Sequence, residues 1–275
     1  MNVQTAGRAG ETSVPVLLRE RDGDIAVLTL NRPAARNSLS ESLIVALSTA
    51  LTDIAGDRAV RAVVLAANGP AFCAGHDLKE LTARRTDADR GCDYFRHIMT
   101  SCSAMMQQIV NLPQPVIACV HGIATAAGCQ LVASCDLAIA STAAKFATPG
   151  VDIGLFCSTP MVALSRNVPR KHAMHMLLTG EMVEAEHAAH YGLINRAVTP
   201  GEERAEALTL ARKVASKSAY TLKVGKQTFY RQLELGLAEA YAYASEVMTQ
   251  NMMARDAEEG ICALIEKRKP AWEDR

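Results

Sequence analysis

Two short stretches consist of residue types that suit a turn presenting backbone amides to a ligand. Residues 71–78 read AFCAGHDL and residues 124–128 read ATAAG, and each stretch leads into a predicted helix. Small side chains let a ligand approach the backbone, and the first amides of a helix have no acceptor within it. Donors of this kind stabilise a negative charge that develops on an oxygen atom. The sequence therefore predicts chemistry that passes through an oxyanion.

Apolar runs, interrupted by Gly and Pro, predict the elements that hold these two turns. Residues 116–120 form a continuous apolar run entered through two prolines, which indicates a strand buried on both faces. Helices are predicted after Ser40 and over residues 94–110, and from residue 159 the pattern is helical almost to the end. Further strands are predicted at residues 14–18, 25–30, 62–66, 137–140 and 145–147. The predicted organisation is a flexible N-terminal tail over residues 1–13, an α/β core over 14–200 and a helical region over 201–275.

The composition is that of a soluble protein. The 275 residues carry a formal net charge of +0, and 49% of them are apolar, which gives no reason to expect nucleic acid or a membrane as a partner. Eight cysteines without a Cys-x-x-Cys pair indicate buried, reduced thiols in a cytoplasmic protein. The N-terminal residues lack the apolar block of a signal peptide. Histidine pairs at helical spacing, 172 with 175 and 187 with 190, have no third ligand, so no metal site is predicted.

Three segments carry a family resemblance. Residues 30–39 read LNRPAARNSL, residues 71–78 form the first turn, and residues 122–136 read GIATAAGCQLVASCD. In order and spacing they resemble the crotonase superfamily, the enoyl-CoA hydratase and isomerase family. The resemblance implies an α/β fold, a crotonase-like spiral of β-β-α turns with a C-terminal helical trimerisation region. It also implies a homotrimer or a dimer of trimers that binds an acyl-CoA thioester, with coenzyme A as part of the substrate and no other cofactor.

By the same resemblance, the backbone amides of Ala74 and Ala127 donate hydrogen bonds to the thioester oxygen. Glycine next to these amides lets ligand and backbone approach closely. For Lys267, as for Lys269, a phosphate contact competes with a solvated helix face, because both lie in a run of mixed charge. The residues that the resemblance places along the ligand are Arg36, Ser38, Gly75, Asp77, Leu78, Ala126, Gly128, Pro149, Gly150 and Lys267.

The sequence departs from the family at the carboxylates with which a hydratase delivers water. The first of these two glutamates corresponds to Gln130 and the second to Gly150, and a third site used by some members corresponds to Ser158. A positioned general acid or base contributes roughly 10² to 10⁴ in rate, and one oxyanion donor contributes on the order of 10² to 10³. Gln130 can orient a water molecule but cannot take its proton. The sequence therefore predicts thioester binding without efficient hydration.

Few residues are available to replace the glutamates. His76 lies beside the first turn and titrates near neutrality, so it is one candidate for proton transfer, with a solvent-facing or phosphate-contacting role as the alternative. Asp152 is the second candidate, although a carboxylate in such a loop more often caps a turn. Cys129 and Cys157 fit buried structural thiols better than nucleophiles.

The preferred interpretation is an acyl-CoA-binding enzyme of the hydratase/isomerase class that stabilises a thioester enolate. One alternative is a non-catalytic acyl-CoA sensor or assembly subunit, which accounts directly for the missing carboxylates. Another is a thioesterase, decarboxylase or isomerase on the same scaffold. A nucleotide-binding oxidoreductase is set aside, because no Gly-x-Gly-x-x-Gly follows an early strand.

Overall fold

The structure, a computed structural model, describes residues 14–275, and the tail predicted for residues 1–13 lies outside the described residues. The strands are β1 (Leu17–Asp22), β2 (Ile25–Leu30), β3 (Ala62–Ala67), β4 (Ala71–Cys73), β5 (Val116–Val120), β6 (Ile123–Thr125), β7 (Leu137–Ser141), β8 (Lys145–Ala147), β9 (Val183–Glu184) and β10 (Arg196–Val198). The helices are α1 (Glu41–Gly56), α2 (Leu78–Ala83), α3 (Cys92–Asn111), α4 (Ala127–Ser134), α5 (Ser158–Asn167), α6 (Arg170–Thr179), α7 (Ala185–His190), α8 (Glu203–Ala215), α9 (Ala219–Gln232), α10 (Leu237–Met252) and α11 (Arg255–Ile265).

The larger sheet has six strands in the order β1-β2-β3-β5-β7-β10. The hairpin β1–β2 is antiparallel, and the pairs that follow it are parallel. Strands β2 and β5 are buried along their whole length, because helices cover both faces of the sheet, and their sequences are therefore continuous apolar runs. Helices α1 and α3 cover one face. Helix α8 covers the other face with Ala207, Ala211 and Ala215.

The smaller sheet has the order β4-β6-β8-β9, and β4, β6 and β8 are parallel to one another. Each of these three short strands follows a strand of the larger sheet, since β4 comes after β3, β6 after β5 and β8 after β7, and each pair is followed by a helix. This repeated strand, strand and helix confirms the predicted spiral of β-β-α turns. Parallel strands end at the same edge of a sheet, so the residues that follow β4, β6 and β8 lie side by side.

The shortest strands are the elements that the sequence did not predict. Strands β4 and β6 lie in stretches predicted as turns, and β9 and β10 lie in a segment predicted to be helical. Strand β1 begins at Leu17 and not at residue 14. Each missed strand has two or three residues, which are too few to show an alternating pattern. These strands form because a neighbouring strand supplies their hydrogen bonds, as β7 does for β10.

Helices α9 and α10 pack lightly against the rest of the described chain. Neither α9 nor α10 contains a buried residue. Helix α9 is attached through Lys226, whose ammonium group donates to Asp136 at 2.7 Å and to the carbonyls of Ile109 and Gln114. Within residues 14–275 no helix is long and apolar enough to cross a membrane. Large apolar side chains are exposed on α9, α10 and α11 and at the end of α9, among them Phe229, Leu233, Leu237, Tyr241, Met248, Met252, Leu264 and Ile265.

Candidate active site

The turns after β4 and β6 are in van der Waals contact. A Cβ atom added to Gly75 would lie 3.0 Å from Cβ of Ala126, 3.2 Å from the carbonyl oxygen of Thr125 and 3.5 Å from the backbone nitrogen of Ala127. Gly75 also has φ +92°, a conformation that residues with a Cβ rarely adopt. The small residues predicted here are therefore required, because any side chain at Gly75 would separate the two turns.

Backbone amides without a protein acceptor meet at this contact. Ala127 is the first residue of α4, so its amide has no acceptor within the helix. Among residues 14–275, neither this amide nor the amide of His76 donates to a protein group. The amide of Ala74, which the family resemblance had suggested as the donor, already donates to the carbonyl of Arg36 at 3.0 Å. The structure therefore favours His76 over Ala74 as the residue whose amide is available from the first turn.

Helix α4 approaches the first turn very closely. A Cβ atom added to Gly128 would lie 2.1 Å from the carbonyl oxygen of Cys73, which excludes every residue except glycine at this position without a backbone shift. Ala126, the residue before the helix, has φ 50° and ψ −118°. The close packing brings the N-terminus of α4, with its partial positive charge, against the end of β4.

The side chain of His76 lies half-buried beside its own amide. Both ring nitrogens are buried, and they have no hydrogen-bond partner among the described residues. Burial lowers the pKa of this imidazole, and the carbonyl of Leu39 acts in the opposite direction with a smaller effect. His76 is therefore neutral at pH 7, with one ring nitrogen able to accept a proton.

The carboxylate of Asp77 stabilises the first turn through hydrogen bonds and is not an unpaired charge in the site. Its carboxylate accepts hydrogen bonds from the Arg32 guanidinium at 2.9 Å and from the Ser38 hydroxyl at 3.2 Å. It also caps α2 by accepting from the amides of Lys79 and Glu80. Burial opposes ionisation, but the hydrogen bonds from Arg32 and from the helix amides outweigh it and keep the pKa of Asp77 below its usual value. Asp77 and Ser38 thus belong to the scaffold of the site.

Asn37 is a further scaffold residue that the sequence did not reveal as part of the site. It is fully buried with φ 53°, a left-handed conformation that asparagine tolerates better than most residues. Its side-chain amide donates to the carbonyls of Asn68 at 2.7 Å and Ala71 at 2.8 Å. The side-chain oxygen accepts from the amide of Arg32 at 2.8 Å. Asn37 therefore links the loop at residues 30–39 to the start of β4.

Neither position assigned to a hydratase glutamate carries a carboxylate. Gln130 is 5% exposed, and its side-chain oxygen has no partner among the described residues. Gly150 is buried, and a Cβ atom there would lie 2.9 Å from both Sγ of Cys157 and the carbonyl oxygen of Leu155. The segment at residues 155–157 therefore occupies the space that a larger side chain at position 150 would need.

Known proteins resemble this chain over nearly its whole length. The family model described as Enoyl-CoA hydratase/isomerase matches residues 20–275. The chain belongs to this family. It is 46% identical, over 267 residues, to enoyl-CoA hydratase domain-containing protein 3, mitochondrial, from Homo sapiens, with 97% of this chain and 86% of that protein covered.

Solved structures of the enoyl-CoA hydratase/isomerase family share the fold. A crystal structure of enoyl-CoA hydratase from Mycobacterium smegmatis superimposes with a TM-score of 0.89 and 51% identity, covering 94% of this chain and 99% of that chain. The crystal structure of human enoyl-CoA hydratase domain-containing protein 3 gives a TM-score of 0.89 and 45% identity, covering 94% of this chain and 100% of that chain. These neighbours confirm the crotonase-like α/β fold that the sequence predicts.

The remaining candidates for proton transfer in this family member are exposed, hydrogen-bonded to a neighbouring residue or inert. Asp152 is exposed, and its carboxylate oxygens lie against Gly180 at the end of α6. The hydroxyl of Ser158 donates to the carbonyl of Phe156 at 3.3 Å. Burial raises the pKa of the Cys129 thiol to about 12, so this thiol stays protonated at neutral pH. Of these acid–base candidates, His76 is the one that belongs to a turn forming the junction.

The other predicted site residues lie on separate elements of the chain. Pro149 begins a single helical turn after β8, at the same sheet edge. Arg36 is exposed on the loop before α1, Leu78 is exposed at the first position of α2, and Lys267 is exposed beyond the end of α11. Six of the eight cysteines are buried as predicted, whereas Cys92 and Cys262 are exposed. Residues 14–275 contain no group of three or more His, Cys, Asp or Glu side chains placed to hold a metal ion.

Proposed function

We propose that the protein binds an acyl-CoA thioester at the carboxyl edge of β4, β6 and β8. In this proposal the amides of His76 and Ala127 donate to the thioester oxygen and stabilise the enolate form of the acyl group. The observation that carries the proposal is the contact between two turns that each offer an amide without an acceptor. Relatives in the family named as enoyl-CoA hydratases support a thioester ligand.

The imidazole of His76 is the proposed proton acceptor. In the forward step, its unprotonated ring nitrogen takes the proton from the α-carbon of the acyl group. The electron pair of that C–H bond moves into the bond between the α-carbon and the carbonyl carbon, and negative charge develops on the thioester oxygen. The two amides then stabilise this charge where it forms. Return of the proton from the imidazolium completes an exchange in which no atom is gained or lost.

Hydration is not part of the proposal. Addition of water to a double bond needs one group that takes a proton from water and another that protonates the α-carbon, and positions 130 and 150 carry an amide and a glycine, which leaves His76 as a single candidate for both tasks. The same absence favours a second candidate, a non-catalytic acyl-CoA sensor, in which the two amides hold the thioester and no proton moves.

Hydrogen exchange at the α-carbon separates these functions. Butyryl-CoA is incubated with the protein in D2O, and deuterium uptake is measured by mass spectrometry, alongside hydration of crotonyl-CoA measured by absorbance. We expect α-deuteration without appreciable hydration. His76→Ala keeps the backbone amide and is expected to retain binding, but to lose exchange by roughly 10² to 10⁴.

The exposed histidine variant His175→Ala is the matched control, and its exchange rate is expected to equal that of the wild type. Binding without exchange would support the sensor, and release of a free CoA thiol would support a thioesterase. Hydration at ordinary enzymatic rates, or a failure to bind either ester, would contradict the proposed function.

We also propose that the protein assembles as a homotrimer or a dimer of trimers. The exposed apolar side chains of α9, α10 and α11 form a surface of the kind that subunits bury against each other. Sedimentation velocity measures the mass of the assembly directly. Replacement of Leu237 and Tyr241, which are 77% and 69% exposed, by glutamate is expected to lower that mass. A wild-type protein that sediments as a monomer would contradict the proposal.

A further inference from the structure

Ala126 has a backbone conformation that alanine rarely adopts. Its dihedral angles are φ 50° and ψ −118°, and a positive φ brings Cβ of an L-residue into conflict with the backbone. Glycine has no Cβ and adopts positive φ readily, as Gly75 does in the facing turn. A non-glycine residue persists in such a conformation only where its surroundings enforce it, and residues of this kind cluster at functional sites.

Hydrogen bonds on both sides of Ala126 enforce the conformation. Its amide donates to the carbonyl of Ala147 in β8 at 2.9 Å. Its carbonyl accepts from the amide of Gln130 at 3.0 Å, in the first turn of α4. Ala126 cannot relax toward a common conformation without releasing β8 or the start of the helix.

The methyl group of Ala126 packs on the residue that precedes the first free amide. Cβ of Ala126 lies 3.0 Å from the position that a Cβ of Gly75 would take, so the methyl group fills the space above Gly75. The peptide bond after Gly75 carries the amide of His76, and the peptide bond after Ala126 carries the amide of Ala127. Ala126 therefore contacts the turn that holds one donor and directly precedes the other donor.

We propose that Ala126 is a positioning residue for the thioester oxygen. Its strained backbone and its methyl group keep the amides of His76 and Ala127 at one separation, at a cost in stability. The inference rests on the proposed function, because the separation of the amides matters only when both donate to the same oxygen.

The variant Ala126→Gly removes both the strain and the methyl group. We expect its melting temperature to rise by about 2 to 4 °C, because glycine adopts the native φ without strain. We expect kcat for α-deuteration of butyryl-CoA to fall by about 10-fold with a smaller change in KM, since a loosened donor loses part of the 10² to 10³ that a deleted donor costs. Ala133→Gly, in the regular part of α4, is the matched control, with a lower melting temperature and an unchanged kcat.

A spectroscopic measurement makes the test independent of turnover. The carbonyl stretch of bound butyryl-CoA, labelled with carbon-13 at the thioester carbonyl, moves to lower frequency when amides donate to the oxygen. We expect Ala126→Gly to lose part of this shift and Ala133→Gly to keep it.

Three outcomes would overturn the inference, and they are distinguishable from one another. If the melting temperature of Ala126→Gly falls as in Ala133→Gly, then the backbone of Ala126 is not strained in the folded protein. If Ala126→Gly leaves both kcat and the carbonyl shift unchanged, then Ala126 does not position the amides, and the proposed function is unaffected. A wild-type protein that binds no acyl-CoA, or binds it without any carbonyl shift, refutes the proposed function and the inference with it.

Discussion

Replacement of Lys226 by methionine tests how the C-terminal helices are attached to the core. The ammonium group of Lys226 lies between Asp136 and two backbone carbonyls, and the two charged side chains are only 6% and 14% exposed. Burial lowers the pKa of Lys226 and raises the pKa of Asp136, and the opposite charge of each residue counteracts that effect on the other. Methionine fills a similar volume but leaves the carboxylate of Asp136 without its cation.

We expect the free energy of unfolding to fall by about 2 to 4 kcal/mol at pH 7. Removal of one partner of a buried ion pair usually costs about 3 to 5 kcal/mol. The loss has an upper limit, because Asp136 can take up a proton, which costs about 4 kcal/mol for a carboxyl of ordinary pKa, about 3.9, at pH 7. The carboxylate also keeps hydrogen bonds from the amide of Val116 at 2.7 Å and the hydroxyl of Tyr230 at 3.0 Å, which reduce the loss.

Urea unfolding followed by circular dichroism, at one fixed protein concentration, measures this difference. Lys223→Met changes an exposed lysine of the same helix and is expected to alter the free energy by less than about 0.5 kcal/mol. At pH 5 the loss in Lys226→Met is expected to shrink to about 1.5 kcal/mol, because protonation of Asp136 is then easier. Addition of Asp136→Asn is expected to restore most of the stability at pH 7. A loss that is independent of pH, or that Asp136→Asn leaves unchanged, would refute the reasoning.

Three further predictions concern the site. The pKa of His76 is about 6.5 in the unfolded chain and lower in the folded chain, so the free energy of unfolding falls as the pH drops below about 6.5. We expect His76→Gln to flatten this part of the curve of stability against pH. Gly128→Ala, whose Cβ would overlap the carbonyl oxygen of Cys73, is expected to cost more than about 3 kcal/mol in urea unfolding, and a loss below about 1 kcal/mol would show that the turn adapts. Gly150→Glu is expected to lower the free energy of unfolding by about 1 to 3 kcal/mol without creating crotonyl-CoA hydration. Addition of Cys157→Ala is expected to recover part of this stability. Hydration by the single variant would show that the loop makes room for the glutamate.

The sequence predicts the parts of this fold that depend on local patterns. Apolar runs such as residues 116–120 indicate buried strands, and the glycines near residues 75 and 128 indicate close backbone contacts. Which amide in the first turn is free does not depend on a local pattern, because the carbonyl of Arg36, from a distant loop, takes the amide of Ala74. The family resemblance suggested Ala74, but the bond to Arg36 that occupies its amide is visible only in the tertiary structure, which points to His76 instead. The crowding at Gly150 likewise arises from residues 155–157, whose conformation the sequence pattern does not predict.

Contact between the two turns also makes the whole protein a reporter of its own ligand. The turns at Gly75 and Ala127 are brought together only by folding, and they separate when the chain unfolds. A molecule that accepts hydrogen bonds from one amide in each turn therefore binds the folded chain alone. Ligand at 100 times its dissociation constant then stabilises the fold by about 2.7 kcal/mol. For a chain of this size that corresponds to a rise in melting temperature of roughly 5 to 10 °C. A melting screen over CoA esters of different acyl chains can therefore rank acyl groups before any reaction has been identified.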